Sequence, residues 1–248
     1  MTALDPADFY TGLVADLYSP LRSYVPAPES FASFVATNGE PALELGCGDG
    51  DPLLALRALG LDVDGVDSSA DMLERLRVRA DGLVVTVYQQ RFEDLDLPRR
   101  YQSIFVAGAT FNLLPSDEHA LAALSRIRAH LLPDGTARIP LWIPPPSDGQ
   151  GELSSAVDED GAVIRVSLLH EDYDVVARTR RTRLFYERVR DGVSQTAERE
   201  WLLHWHTVDG FRALATSAGL LVQAVLDDDG ARAGSDATAF TVLLRPAG

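Results

Sequence analysis

Between residues 41 and 143, short apolar runs alternate with stretches whose apolar positions recur every three or four residues. That alternation predicts strand–helix–strand units and a parallel sheet covered by helices. Pro41 to Leu45 is the first buried strand and Leu61 to Val66 the second. Leu83 to Tyr88, Ser103 to Ala107 and Thr136 to Ile143 follow as the third, fourth and fifth. The first helix is expected from Pro52 to about Leu59, with Asp51 as its N-cap and Gly60 as the glycine just past its end. In the second, Ser68 or Ser69 supplies the cap, and Leu73, Leu76 and Ala80 share one face. A third helix runs from Asp117 to Leu132 and is closed by Pro133-Asp134-Gly135.

After Pro144-Pro145-Pro146 the pattern changes to long extended runs, Gly161 to Leu169, Asp174 to Arg190 and Val193 to Trp205. Asp191-Gly192 is a strong two-residue hairpin signal. A last helix starts near Thr207, carries Phe211 and Leu214 inward, and ends at Gly219. Leu220 to Leu226 and Ala239 to Leu244 then read as a closing hairpin, joined by a solvated acidic turn from Asp227 to Asp236. The expected fold is α/β: a Rossmann-like, doubly wound, seven-stranded sheet with an inserted antiparallel β layer over the site. Its expected divisions are an N-terminal helical lid (1–40), a core (41–146), the inserted layer (147–206), and a C-terminal helix with the closing hairpin (207–248).

Charge narrows the function. With 37 acidic and 22 basic side chains the formal net charge is -15, a field that repels nucleic acid and every other polyanion. All the basic residues are Arg, which removes Schiff-base chemistry and the P-loop lysine. No run approaches the roughly 20 apolar residues of a membrane span, and Met1 to Tyr10 has no basic leader-like region. The single Cys47 permits no internal disulfide. A cytoplasmic protein without a membrane partner is the expectation.

The stretch Glu44-Leu45-Gly46-Cys47-Gly48-Asp49-Gly50 lies between a strand and a helix, and Asp67 stands at the end of the next strand. Glycines let the chain turn tightly and let a ligand approach the backbone. An acid at the tip of the second strand is placed to accept both hydroxyls of a ribose. Asp49 and Asp51 would repel the diphosphate of a dinucleotide, so the loop favours an adenosine ligand that is cationic here. The sulfonium and ammonium of S-adenosylmethionine are both positive.

Leu43 to Gly50 together with Val63-Asp64-Gly65-Val66-Asp67-Ser68-Ser69 resembles the class I S-adenosylmethionine-dependent methyltransferases, and the resemblance spans about residues 10 to 143. It implies that Glu44, Gly46, Cys47 and Gly48 line the methionine part, Asp67 the ribose, and Ser68 with Met72 the adenine. Gln90-Arg91-Phe92-Glu93-Asp94-Leu95 aligns with the family's third motif, but Arg91 stands where an Asp is usual, so Arg91 and Phe92 are placed by position. Ala107 to Asn112 matches the segment that passes under the methionine, with Phe111 and Asn112 towards the acceptor. Tyr10, Tyr18 and Arg22 resemble the lid of the small-molecule branch, which includes amino-sugar and antibiotic N-methyltransferases. If one helix carries both tyrosines they lie near one face; Arg22 could then take the donor's carboxylate. Packing of an amphipathic helix on the domain explains the same tyrosines equally well.

Methyl transfer from a sulfonium is an in-line displacement, so alignment and desolvation matter more than a covalent partner. Tyr10, Tyr18, Phe111 and Trp205 are candidates to face a cationic centre. His170, His204 and His206 lie in the inserted layer and could serve as a base for a hydroxyl acceptor, while His119 and His130 read as structural. His204 and His206 share a strand face, but no third ligand follows at recognisable spacing, so no metal is expected. Arg178, Arg180, Arg181, Arg183, Arg188 and Arg190 read as a solvated face paired with Glu187, Glu198 and Glu200, as a site for an acidic substrate, or as an oligomer interface. The expected activity is methyl transfer to an amine, or a hydroxyl, of a small-molecule secondary metabolite. The rivals are a cyclase-like enzyme that retains its S-adenosylmethionine and a non-catalytic binding protein.

Overall fold

The computed structural model describes residues 8–22, 24–158 and 160–248. Two N-terminal helices, α1 (Leu13–Leu21) and α2 (Pro28–Asn38), precede the core. The core alternates β1 (Ala42–Leu45), α3 (Leu53–Ala58), β2 (Val63–Asp67), α4 (Ala70–Arg79), β3 (Val87–Gln89), β4 (Tyr101–Val106), α5 (Asp117–His130) and β5 (Leu131–Trp142). Four strands follow, β6 (Gly151–Val157), β7 (Val163–Asp174), β8 (Thr179–Arg190) and β9 (Val193–His204). The chain ends with α6 (Val208–Ser217), β10 (Leu220–Leu226) and β11 (Ala239–Pro246).

The larger sheet has seven strands in the order β10-β11-β5-β4-β1-β2-β3, and the smaller is the antiparallel meander β6-β7-β8-β9. From β1 the chain steps outward through β2 to β3, then crosses back to place β4 on the other side of β1. Neighbouring connections therefore diverge at the C-terminal ends of β1 and β4, where open α/β sheets hold their ligands. One face of the sheet packs α5 and α6 around Phe111, Leu124, Ile127 and Phe211. The other packs α2, α3 and α4 around Phe31, Leu53, Leu76 and Phe105. A separate apolar cluster joins Val14, Leu17 and Leu21 of α1 to Ile164, Leu184 and Tyr186 of the meander. Among the described residues, no helix is long and apolar enough to cross a membrane.

Local chemistry sets most boundaries where the pattern predicts them. Gly60 (φ 84°) follows α3 and donates to Arg57 O, while Leu61 N reaches Leu56 O, the pair of bonds that ends a helix on a left-handed residue. Ser69, rather than Ser68, caps α4 by accepting from Met72 N at 3.2 Å. Asp191 (φ 50°) and Gly192 (φ 76°) make the tight β8–β9 turn. Thr207 caps α6 through Gly210 N.

Four expectations are corrected. Asp51 does not cap α3, because its carboxylate is drawn to Arg22 and Arg79 instead. The third strand starts at Val87 and not Leu83, since Asp81 and Gly82 turn the chain after α4 and pairing with β2 begins at Gly65↔Val87. Pro133-Asp134-Gly135 does not separate α5 from β5; it is absorbed as a bulge between the pairs Tyr101↔Leu131 and Ser103↔Thr136. β6 was not foreseen, because an exposed edge strand of sequence GELSSAV needs no apolar face.

Candidate active site

The loop after β1 is tied to the tip of β2, with Gly46 N and Cys47 N both donating to Val66 O at 2.7 and 3.0 Å. Making that turn requires left-handed backbone at Gly46 (φ 73°) and Gly48 (φ 51°). At Gly46 space is short as well: a Cβ there would lie 2.8 Å from Thr110 Cγ2 and 3.3 Å from Phe92 Cζ. The glycine loop, the turn after β3 and the turn after β4 thus converge on one point. Gly46→Ala is expected to cost about 1–3 kcal/mol in stability and to abolish S-adenosylhomocysteine binding, read by thermal melting and calorimetry on the same sample. Retained binding would show that this loop is not the cradle.

Acidic groups surround the loop. Glu44 is fully buried and neither carboxylate oxygen makes a well-formed hydrogen bond, the Leu53 amide being the donor that lies near enough to oppose the effect of burial. Burial, followed by the nearby Asp51 and Asp67, pushes its carboxyl well above the usual range. Asp67 accepts from Gly48 N with one oxygen and from Ser69 N with the other, each at 2.8 Å. Ser68 N is a third backbone donor to it; a carboxylate has about four acceptor positions, so room is left for a hydroxyl at the tip of β2. Burial also raises this carboxyl, against the opposing bonds from backbone amides. Ser68 spans Asp67 and the capping Ser69, and its carbonyl accepts from Gln89 Nε2 at 3.4 Å. Met72 Cε lies 3.4 Å from the Cβ position of Gly48. The Cys47 side chain turns into the core, with Sγ 2.8 Å from where a Cβ on Gly65 would sit, and burial pushes its thiol up. It therefore shapes the β1–β2 contact rather than presenting a thiolate.

The first helix closes over this loop. Ser19 donates to Asp49, and Arg22 binds Asp51 and, at 3.4 Å, Asp49. Arg79 of α4 completes the network on the same two acids. Burial alone would raise the Asp51 carboxyl, but the bonds from Arg22 and Arg79 outweigh it and hold it below the usual range. Arg22, which the resemblance directs to the donor's carboxylate, is here a latch between lid and loop. At the other end, Gly12 N donates to Asp71 at 2.6 Å and Ser69 Oγ to Tyr10 O. Tyr10 lies before α1, not on it, yet its ring meets Tyr18 edge-on at 5.4 Å. Phe9 links the pair to the meander, 4.8 Å from Tyr10 and stacked on Trp201 at 6.1 Å. Burial pushes the Tyr10 hydroxyl well up, helped by Tyr18, Tyr186 and Asp67, and burial does the same for Tyr18. Both phenols are protonated at neutral pH.

The remaining candidates divide. Phe92 and Ala107 are buried at the point of convergence, and Arg91 begins the short turn of 3-10 helix that carries Phe92. Thr110, overlooked in the sequence, is brought against Gly46 by the same kind of turn after β4. Phe111 points into the α6 side of the core, with its ring 5.5 Å from Phe211. Asn112 donates to Trp142 O (2.8 Å) and His204 O (3.1 Å) and accepts from Trp142 N (3.2 Å), so it joins the end of β5 to the end of β9. Trp205 stacks on Tyr173 at 4.9 Å, beside Pro144. His170 is exposed on a bulge of β7 and pairs with Asp172.

The arginine row of the meander is largely spoken for. Arg178 binds Asp117, Arg180 binds Glu171, Arg181 binds Glu200, and Arg188 and Arg190 bind Asp160. That is the paired surface expected of such a row, with partners drawn more from β7 and the loops than from β9. His204 and His206 are buried, meet edge-on at 4.8 Å, and face Asp117 at the start of α5. Burial pushes His206 down to about 3, with the neighbouring His204 adding to the effect. The convergence of these two with Asp117 had no signal in the sequence.

A glycine loop, a carboxylate held by backbone amides at the tip of β2 and a buried, weakly partnered carboxylate at the switch point of a seven-stranded sheet are the features of an enzyme that binds a cationic adenosine ligand. S-adenosylmethionine fits this pocket: Glu44 has no well-formed hydrogen bond and an ammonium would supply one, and the Gly46 cradle is space that any side chain would fill. A family model described as "Methyltransferase domain" matches residues 42–135. The cypemycin N-terminal methyltransferase of a Streptomyces species is 30% identical over 241 residues, covering 96% of this chain and 91% of that one. A dTDP-3-amino-3,6-dideoxy-alpha-D-glucopyranose N,N-dimethyltransferase of Streptomyces fradiae is 30% identical over 176 residues, 67% of this chain and 68% of that one. The solved structure of the CcbJ methyltransferase from Streptomyces caelestis superposes with a TM-score of 0.75 at 24% identity, over 98% of both chains. The chain belongs to the class I S-adenosylmethionine-dependent methyltransferases, in their small-molecule branch, and S-adenosylmethionine is its cofactor.

Proposed function

We propose that the acceptor is the amine nitrogen of a small natural product, and that residues 147–206 form the cap under which it enters. The observation that carries this is the aromatic lid: Tyr10 and Tyr18 stand over the loop with rings 5.4 Å apart and both hydroxyls protonated. A hydroxyl acceptor needs a base in contact, and neutral phenols offer none. An amine needs only its own lone pair, with ring faces that stabilise the positive charge on nitrogen.

S-adenosylmethionine supplies an electrophilic methyl group on a sulfonium. In the proposed arrangement Asp67 holds the ribose through the acceptor capacity its backbone amides leave, Glu44 faces the ammonium, and Ser68 with Met72 borders the adenine. α1, pinned at Asp49, Asp51 and Asp71, excludes water and aligns nitrogen with carbon. The nitrogen pair forms the new C–N bond, the C–S pair returns to sulfur, and the amine's surplus proton goes to solvent. A chain of net charge -15 also concentrates cations at its surface, which favours an acceptor that arrives as an ammonium and releases one proton to solvent, exposing its lone pair, before the methyl group is transferred. The buried thiol of the single cysteine and the intracellular origin of the donor support a cytoplasmic setting. The relatives named as an N,N-dimethyltransferase and an N-terminal methyltransferase support an amine as the acceptor and favour methyl transfer over the cofactor-retaining alternative.

The test is a panel of acceptors: amino sugars, free peptide N-termini, and phenols, with S-adenosylhomocysteine formation and product mass followed together. Methylated amines with unmodified phenols are expected. In the same assay Tyr10→Phe and Tyr18→Phe should each keep kcat within about tenfold, whereas a base removed would cost on the order of 10²–10⁴. Phenols methylated in preference to amines, with kcat lost in either Phe variant, would reverse the reading.

A further inference from the structure

At the junction of core and meander, Asp117 begins α5, His204 ends β9 and His206 precedes α6. One ligand atom from each, a carboxylate oxygen and two imidazole nitrogens, lies within 4.8 Å of the others. We propose that this is a binding site for a divalent transition cation of the Zn²⁺ type, one that clasps the root of the meander to the core. Its three donors come from the start of α5 and from the β9–α6 junction, none of them on the glycine loop or on β1 and β2, which carry Glu44 and Asp67.

The orphaned atoms point to a ligand. Nδ1 of His206 and Oδ1 of Asp117, two of the atoms an ion here would join, are buried without a hydrogen-bond partner, and so is Nε2 of His206. The His206 side chain is 0% exposed and that of His204 4%. Buried polar groups in native proteins nearly always find partners, and an imidazole with neither nitrogen satisfied is rarer still. Two of the three separations suit a metal better than direct bonds, and the third, within 4.8 Å, would close on binding. His206 Nδ1 is 3.4 Å and His204 Nε2 3.6 Å from Asp117 Oδ1, long for hydrogen bonds. Donor atoms around a tetrahedral ion with bonds of 2.0–2.2 Å stand about 3.3–3.5 Å apart. The other carboxylate oxygen of Asp117 is held by Arg178, the kind of outer bond that orients a metal-ligating acid. Two imidazoles and a carboxylate are borderline ligands that suit Zn²⁺ and its first-row neighbours over Mg²⁺ or Ca²⁺. Asp117 is 46% exposed as a side chain, so the cluster lies one side chain from solvent.

The full chain, freed of metal by chelation and dialysis, should be titrated with Co²⁺ as a spectroscopic probe and then with Zn²⁺. One equivalent of Co²⁺ with the visible bands of a low-coordinate site, displaced by Zn²⁺, and a melting temperature raised by Zn²⁺ are expected. Asp117→Asn, His204→Gln and His206→Gln should each weaken binding by at least about tenfold, while His170→Gln leaves it unchanged. S-adenosylhomocysteine binding by the same samples reports that each variant is folded, and Asp117→Asn, at a partly exposed position, keeps the test open if a histidine variant is not. Absence of Co²⁺ bands with a melting temperature unmoved by saturating Zn²⁺ overturns the proposal. So does equal binding by wild type and the folded variants.

Discussion

Asp67→Ala is expected to lower the affinity for S-adenosylhomocysteine by about tenfold or more. The acceptor position left on its carboxylate would take a ribose hydroxyl, and a hydrogen bond to a charged group is worth about 1.5–3 kcal/mol. The variant also strips Gly48 N and Ser69 N of their acceptor, so the loop and the start of α4 lose their common anchor. Calorimetry on protein shown to be folded by its melting curve separates the two effects. Affinity within threefold of wild type would mean that Asp67 organises the loop and touches no ribose.

Glu44→Gln should move stability and binding in opposite directions. Because burial raises the folded-state pKa of Glu44, the folded chain holds a proton that the unfolded chain has released. Stability therefore falls as pH rises above the ordinary glutamate range of about 4.3 and goes on falling up to the raised folded-state value. A neutral amide of the same shape has no such slope. The ligand-free variant should melt higher than wild type at pH 7 to 8, with the gap closing towards pH 4. Its affinity for S-adenosylhomocysteine should drop about tenfold or more, since the ammonium loses a charged partner. Wild type should also release protons on binding, seen as a calorimetric enthalpy that varies with the buffer's own ionisation enthalpy, and the variant should not. Unchanged affinity together with unchanged proton release would remove Glu44 from the cofactor site.

Much of the fold was legible because its signals are local. A strand that runs into Gly46-Cys47-Gly48 must turn with positive φ, Gly60 must end a helix, and Asp191-Gly192 must close a hairpin, whatever lies around them. Alternating apolar runs of strand and helix length leave little choice but a covered parallel sheet. The cofactor pocket shared this advantage, since Glu44, Gly46, Gly48 and Asp67 come from two adjacent strands and the loop between them. The exposed strand β6 and the bulged start of β5 were missed because no apolar period marks an edge, and turn residues can be absorbed by a bulge.

Side-chain partners were another matter. Arg22 reads as a free cation for the donor and proves to be held by Asp51, Asn112 reads as a substrate contact and proves to join two strand ends, and Cys47 turns its thiol into the core. Asp117 meets His204 and His206 only after the meander has folded back onto the start of α5. What the sequence determined by itself is the sheet, its glycine loop and the class of ligand, because backbone conformation and hydrophobic period are set within a few residues. The tertiary structure alone decided the lid latch and the histidine cluster: their bonds join residues far apart in the chain, and neither partner carries a local mark of the other.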